Sequence, residues 1–165
     1  MVVVVERFDP QKLNQEITEI DKILAKDLSE PYSRYVYEYF LSNWPTYTFF
    51  AREEGKVVGA IVASNNQHKN RQRGYISMLA IDEKYRGRGI AKKLIMTVID
   101  EFRANDTDEI TLETETTNEA ALNLYQNFGF VRSRRMHRYY LNASDAFRLS
   151  LALTEKAAQS TVFYH

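Results

Sequence analysis

An α/β fold, with one mixed, mostly antiparallel sheet and helices on both faces, is predicted by three features of the 165-residue sequence. Strand-like segments come first, a β-α-β-α unit occupies the middle, and a hairpin closes the chain. This order, β-α-α-β-β-β-α-β-α-β-β, excludes a doubly wound parallel sheet. The length fits a single domain, residues 1–165, with its core at about 2–154 and a tail at 155–165.

Residues 2–8 are β-branched and form the first strand. Asp9-Pro10 then supplies an N-cap followed by proline at the first helical position. Leu13, Ile17, Ile20 and Leu24 follow at spacings of 4, 3 and 4, one face of a first helix that Leu28-Ser29-Glu30-Pro31 breaks. Tyr32, Tyr35, Val36, Tyr39 and Phe40 resume the helical period to about Asn43, where Pro45 ends it; Tyr35 and Tyr39 are expected to serve helix packing. Two β-rich runs, 46–52 and 56–63, flank Glu53-Glu54-Gly55 as a hairpin. Residues 65–73 read as a polar loop and 75–81 as a largely apolar strand. Ile90, Ala91, Leu94, Ile95, Val98, Ile99 and Phe102 mark the strongest amphipathic helix. Residues 109–115 alternate as a strand, Asn118 caps a helix carrying Ala121, Leu122, Leu124 and Tyr125, and Gly129 stops it. Residues 131–140 and a run containing Phe147, Leu149, Leu151 and Leu153 form the closing hairpin, turning near 142–145.

Composition removes several function classes. Lys plus Arg and Asp plus Glu both total 22, so the net charge of zero argues against a dedicated nucleic-acid binder. The absence of cysteine excludes disulfides, thiolate nucleophiles and Cys-based zinc sites, and the three histidines form no ligand pair, so no metal is expected. No apolar run approaches the roughly 18 residues of a membrane span, and residues 2–5 lack the length and basic flank of a signal. A reduced, cytoplasmic domain without direct nucleic-acid or membrane contact is expected.

Tyr85-Arg86-Gly87-Arg88-Gly89-Ile90-Ala91-Lys92 lies between a strand and the best helix. Alternate glycines let the backbone turn tightly, and a helix start presents unsatisfied N–H groups and its positive dipole end, which suits a pyrophosphate. Arg86, Arg88 and Lys92 add positive charge. The P-loop spacing is absent, and a dinucleotide fingerprint would need glycine where Lys92 stands. Arg86, Gly89 and Ala91 instead fit the acetyl-coenzyme A pattern [Q/R]-x-x-G-x-[G/A] at each position.

That pattern, followed by Asn118, Ala121-Leu122-Asn123-Leu124-Tyr125 and Phe128-Gly129-Phe130, resembles the GNAT acetyltransferase superfamily. Four further stretches are similar to the NatC catalytic subunits, a group of N-terminal protein acetyltransferases within it. They are Leu28-Ser29-Glu30-Pro31-Tyr32-Ser33, Arg73-Gly74-Tyr75-Ile76 through Met78-Leu79-Ala80, Leu112-Glu113-Thr114-Glu115, and Arg138-Tyr139-Tyr140-Leu141-Asn142.

The resemblance implies the GNAT acyl-CoA N-acyltransferase fold and acetyl-coenzyme A as co-substrate. It implies cofactor contacts at Leu79, Ala80, Ile81, Arg86, Gly87, Arg88, Gly89, Ile90, Ala91, Lys92 and Asn118, with backbone N–H groups near Leu79 and Ile81 stabilising an oxyanion. Glu113 is implied as general base, through water, and Tyr125 as general acid. These roles make chemical sense. At pH 7 neutralising an α-amine, with a pKa of about 7.7–8.0, costs about 1 kcal/mol, against roughly 4.6 for lysine. Tyrosine, with a reference pKa near 10, can protonate a departing thiolate. Leu28, Pro31, Tyr32, Tyr75, Tyr139 and Tyr140 are implied as the wall of a peptide pocket suited to Met followed by Leu, Ile or Phe, with Glu30 there to attract the cationic N-terminus.

The implied partners are nascent protein N-termini, a large auxiliary subunit, a small Sm-like subunit, and the ribosome through those subunits. Val2-Val3-Val4-Val5 and Val162-Phe163-Tyr164 are candidate docking surfaces. The alternatives left open are another GNAT acting on ribosomal protein N-termini or a small amine, a silent acetyl-coenzyme A-binding subunit, and a nucleotide-binding module.

Overall fold

The computed structural model describes residues 2–27, 33–137, 139 and 144–160. Its elements are β1 (Val3–Arg7), α1 (Leu13–Asp27), α2 (Arg34–Asn43), β2 (Thr48–Glu53), β3 (Lys56–His68), β4 (Arg71–Ile81), α3 (Ile90–Ala104), β5 (Glu109–Glu115), α4 (Glu119–Asn127), β6 (Val131–Met136), β7 (Ala146–Ala152) and α5 (Glu155–Ser160). The strands form a seven-stranded sheet in the order β1-β2-β3-β4-β5-β7-β6. β4 and β5 pair in parallel, whereas β1–β2, β2–β3, β5–β7 and β6–β7 are antiparallel. The predicted fold class is therefore observed. No described helix is long and apolar enough to cross a membrane.

The chain divides into two compact units, Met1–Asn65 with Ile76–Ala104, and Asn66–Tyr75 with Asn105–His165. In the first unit, strand alternation sends Phe50, Ala60, Val62, Met78 and Ala80 to one face, where they join Ile17, Ile20, Ile23, Tyr37 and Leu41 of α1 and α2 in one buried cluster. The opposite face receives α3, whose Ile90, Leu94, Ile95, Val98, Ile99 and Phe102 are buried as the periodicity requires. Phe102 stacks on Tyr47 with ring centroids 4.7 Å apart. Ion pairs tie the edge: Arg7 meets Glu101 at 2.6 Å, and Arg52 meets Glu6, Glu16 and Glu19. The Arg52 guanidinium loses solvation through burial, but its acidic neighbours, Glu16 foremost, outweigh this and hold it charged. The hairpin between β2 and β3 turns on Glu54 and Gly55 at φ of 50° and 80°, the left-handed pair that a two-residue type I′ turn demands.

The second unit packs Ile110, Leu112, Leu122, Tyr125, Phe130 and Leu149 as its apolar core. Asn118 caps α4 as predicted, its side-chain oxygen accepting from Ala121 N at 3.1 Å. Gly129 leaves the helix at φ 98°. Asp108 knots the unit together. Its carboxylate accepts from Gln72 N at 2.8 Å and from the Thr154 hydroxyl at 2.9 Å, while its own carbonyl accepts from Leu153 N at 2.8 Å.

Three expectations are corrected. Residues 65–73 are no loop: β3 runs to His68 and β4 begins at Arg71. Solvated strand ends need no apolar alternation, because cross-strand pairing satisfies the backbone while polar side chains face water. Tyr35 and Tyr39 do not pack inward, being 80% and 56% exposed. The buried face of α2 is one position out of phase, carried by Tyr37 and Leu41 with Val36 and Phe40 beside them. Finally, β6 ends at Met136, and the tail contains α5, whose Ala157 is buried. Val4 on the edge strand and Val2 just before it are exposed, whereas Val162-Phe163-Tyr164 lie outside the described residues.

Asp108 generates a stability prediction. Hydrogen bonding by Gln72 N holds its carboxyl below the usual carboxylate range. Its contribution is therefore present above the unfolded pKa of about 3.9 and disappears as pH falls through the lower folded value. Asp108→Ala should cost about 1–3 kcal/mol at pH 7. The difference in melting temperature from the parent should hold above about pH 5 and shrink on acidification below about pH 4, measured by thermal melts across pH.

Candidate active site

In the first unit, β4 delivers the chain to a turn and then to the start of α3. Leu79 is half-buried, and Ala80 and Ile81 are buried at the strand end. Asp82 reverses the chain, its N–H donating to Val58 O at 2.8 Å and its side chain capping Lys84 N at 3.0 Å. Arg86 folds back so that its Nε donates to Ile81 O at 3.3 Å, bracing the turn against the strand. Gly87 and Gly89 both adopt φ 78°, with nothing within 4 Å of the place a Cβ would occupy. The turn is thus left-handed at two points and open on its outer side. Helix bonding starts with Lys93 N to Gly89 O at 3.2 Å. The N–H groups of Ile90, Ala91 and Lys92 precede that first bond and are the helix-start donors. Arg88 lies over the Tyr85 ring, 4.9 Å from its centroid, and 3.7 Å from Glu53; Lys92 is exposed.

One residue behind this turn was missed in the sequence. A Cβ on Gly59 of β3 would meet Ile81 Cδ1 at 2.8 Å, and Ala80 O and Ile90 Cγ2 each at 3.4 Å. Glycine there lets the end of β4 and the first residue of α3 close onto β3. The signal available was an isolated glycine inside a β-branched strand, a mark of close approach.

The second unit holds Glu113, Tyr125, Asn118, Tyr75 and Tyr139. Glu113 lies on β5 directly opposite Arg148 of β7. Its side chain is only 6% exposed, and Arg148 Nη2 donates to its Oε1 at 3.2 Å. The Tyr139 hydroxyl donates to the same oxygen at 3.4 Å, so this tyrosine meets the carboxylate. Glu113 Oε2 is buried and has no partner among the described residues. A buried carboxylate oxygen without a donor is costly unless a ligand or water serves it. Tyr125 on α4 is buried against Phe130 in an edge-to-face contact, centroids 5.4 Å apart. Burial pushes its phenol pKa upward, so the hydroxyl stays protonated at neutral pH. Asn118 spends its side-chain oxygen on the helix cap, which leaves its NH₂ as a donor. Tyr75 is half-buried on β4, beside Thr111 of β5. Leu28, Glu30, Pro31, Tyr32 and Tyr140 lie outside the described residues. Among the described residues no group of three or more histidine or carboxylate side chains could hold a metal ion.

Residues 17–130 match the Acetyltransferase (GNAT) family. The chain belongs to the GNAT acetyltransferase family. Within it, the chain groups with N-alpha-acetyltransferases that use acetyl-coenzyme A. It is 50% identical over 155 residues to N-alpha-acetyltransferase 30 of Saccharomyces cerevisiae, covering 90% of this chain and 88% of that one. Identity to N-alpha-acetyltransferase 30 of Homo sapiens is also 50%, over 84% of this chain but 38% of the longer human protein. A crystal structure of the NatC complex bound to Gag peptide and CoA contains a chain that superposes with a TM-score of 0.90 at 48% identity, covering 93% of this chain and all of that one. The two glycines leave the outer side of the turn free of side-chain bulk, and the adjoining helix start offers N–H donors of the kind that suit an anionic ligand.

Gly89→Val should therefore separate binding from folding. Valine is strained at φ 78° by about 1–2 kcal/mol, yet its Cβ meets no atom of the protein, so the fold should survive. Acetyl-coenzyme A affinity should collapse as the branched side chain fills the open side of the turn. Calorimetric titration alongside a thermal melt checks this; unchanged affinity removes the turn from the cofactor site.

Proposed function

We propose that this chain is the catalytic subunit of a NatC-type N-terminal acetyltransferase, a single GNAT domain. It would acetylate the α-amine of proteins beginning with Met followed by Leu, Ile or Phe. The observation that carries this reading is the half-identity to N-alpha-acetyltransferase 30 across nearly the whole of the yeast protein. The chemistry of the residues agrees with it. An α-amine is cheap to neutralise near pH 7, so a carboxylate relay suffices.

Acetyl-coenzyme A supplies an activated thioester. In the proposed reaction the amine nitrogen bonds to the acetyl carbon and the carbon–sulfur bond breaks. The amine's proton passes through water to Glu113 Oε2, and the departing thiolate takes its proton from the Tyr125 hydroxyl. The glycine turn and the N–H groups of Ile90, Ala91 and Lys92 hold the pyrophosphate, with Arg86, Gly87, Arg88 and Asn118 as further cofactor contacts. Backbone N–H groups around Leu79, Ala80 and Ile81 stabilise the developing oxyanion. With no cysteine in the chain, transfer is direct within a ternary complex and rests mainly on positioning.

Leu28, Glu30, Pro31, Tyr32, Tyr75, Tyr139 and Tyr140 form the proposed peptide pocket. Tyr139 suits a place at its floor, because its hydroxyl already reaches Glu113. The NatC assembly supports auxiliary subunits as partners, which we read as one large and one small Sm-like chain. Contact with the ribosome is left to those subunits, since a net charge of zero offers little to RNA. Work on nascent chains sets the enzyme in the cytoplasm.

Peptides beginning Met-Leu, Met-Ile or Met-Phe should be acetylated more than tenfold better than Ser-Ala, at about 0.8 kcal/mol per buried methylene. Equal rates would assign the chain to another N-terminal acetyltransferase or to a small-amine GNAT. Glu113→Gln should lower kcat by about 10²-fold or more with acetyl-coenzyme A affinity retained. Tyr125→Phe should slow turnover less, because water can replace the proton donor.

A further inference from the structure

The antiparallel register of β5 and β7 sets Arg148 opposite Glu113, and Arg134 of β6 opposite Arg148 on its other side. Arg148 therefore stands between a cation and an anion. Arg73 of β4 adds a second cation whose charge and that of Arg148 oppose one another. With cations on either side, the ion pair with Glu113 favours one seating of the guanidinium. That seating gives Nη2 to Oε1 of Glu113 at 3.2 Å. Tyr139 donates to the same oxygen. Both donors thus use Oε1, and the buried Oε2 keeps its lone pairs without a partner among the described residues.

We propose that Arg148 is a positioning residue of the acetyl-transfer site: by holding Oε1 it fixes the Glu113 carboxylate so that Oε2 receives the proton of the attacking amine. This rests on the reading of Glu113 as general base. Arg148 touches neither co-substrate in this scheme and acts only through the carboxylate. Without Arg148 the carboxylate keeps, among the described residues, only the longer contact from Tyr139 at 3.4 Å, and the oxygen aimed at the amine is less firmly fixed.

The test is a double-mutant cycle in the full chain, purified with any subunits that accompany it and assayed with acetyl-coenzyme A and a Met-Leu peptide. Arg148→Met should lower kcat roughly 10- to 100-fold, the scale of a misplaced catalytic group. KM for acetyl-coenzyme A should stay within about twofold, as expected for loss of an interaction made only in the transition state. Arg148→Lys, which keeps the charge but not the planar fork, should recover part of the loss. In the Glu113→Gln background, Arg148→Met should change kcat by less than about threefold, because its route of action is gone. Multiplicative losses in the double variant overturn the proposal, as does a folded Arg148→Met enzyme with parental kcat. Parental kcat in Glu113→Gln overturns instead the reading of Glu113 as base. If Arg148→Met melts below the assay temperature, Arg148→Lys takes its place in the cycle, and multiplicative losses or a parental kcat overturn the proposal in the same way.

Discussion

The constraint on which the second unit depends is that β5 takes two carboxylates almost wholly out of water. Glu109 and Glu113, four residues apart, are each only 6% exposed at the side chain. A buried, unpaired carboxylate costs several kcal/mol, so each must meet a cation in fixed geometry. Arg71 reaches Glu109 from β4, and Arg148 reaches Glu113 from β7. Registers that would also satisfy the hydrophobic alternation but misalign these pairs are thereby penalised. The parallel pairing of β4 with β5 sets Arg73 beside Glu109, and the antiparallel pairing of β7 sets Arg148 beside Glu113. The ends of both pairings are further locked by the carboxylate and carbonyl of Asp108.

The first unit solves a different problem, holding a left-handed glycine turn steady with hydrogen bonds and apolar contacts. Two closely spaced left-handed glycines would make 86–89 a floppy linker if they stood alone. Arg86 anchors the turn to the carbonyl that ends β4, and Asp82 is tied to β3. Gly59 permits Ile81 and Ile90 to close over the same spot. Conformational freedom is thus confined to the two glycines, whose backbone would approach the cofactor in the proposed site, while the flanks are tied to neighbouring strands.

Much of this was legible in the sequence because it depends on local rules. The α3 stripe, the Asn118 cap, the alternation of β5 and the glycine turn each follow from residues within one or two turns of chain. The exposed faces of Tyr35 and Tyr39 were not legible. Tyrosine is apolar enough to fit either phase of α2, and only the packing of Tyr37 and Leu41 into the sheet decides between them. Residues 65–73 misled for the opposite reason, since a solvated hairpin tip has the composition of a loop. Arg148 was invisible as a functional residue. Its importance comes from a cross-strand register that links positions 35 residues apart, and an arginine in an alternating strand reads as an ordinary solvent-facing side chain.

The edge strand β1 has a consequence for how the chain is made. Val3 pairs with Glu53, 50 residues further on. At roughly 5–20 residues per second, translation leaves the valine run without its native partner for about 3–10 s. A short, uncharged β-branched segment with no proline is the kind that pairs with other chains when left exposed. Glu6 and Arg7 follow it immediately, and in the finished fold they bind Arg52 and Glu101. Before those ion pairs exist, the same two charges flank an aggregation-prone stretch as gatekeepers. Residues that brace the sheet edge in the native state thus also guard the nascent chain during synthesis.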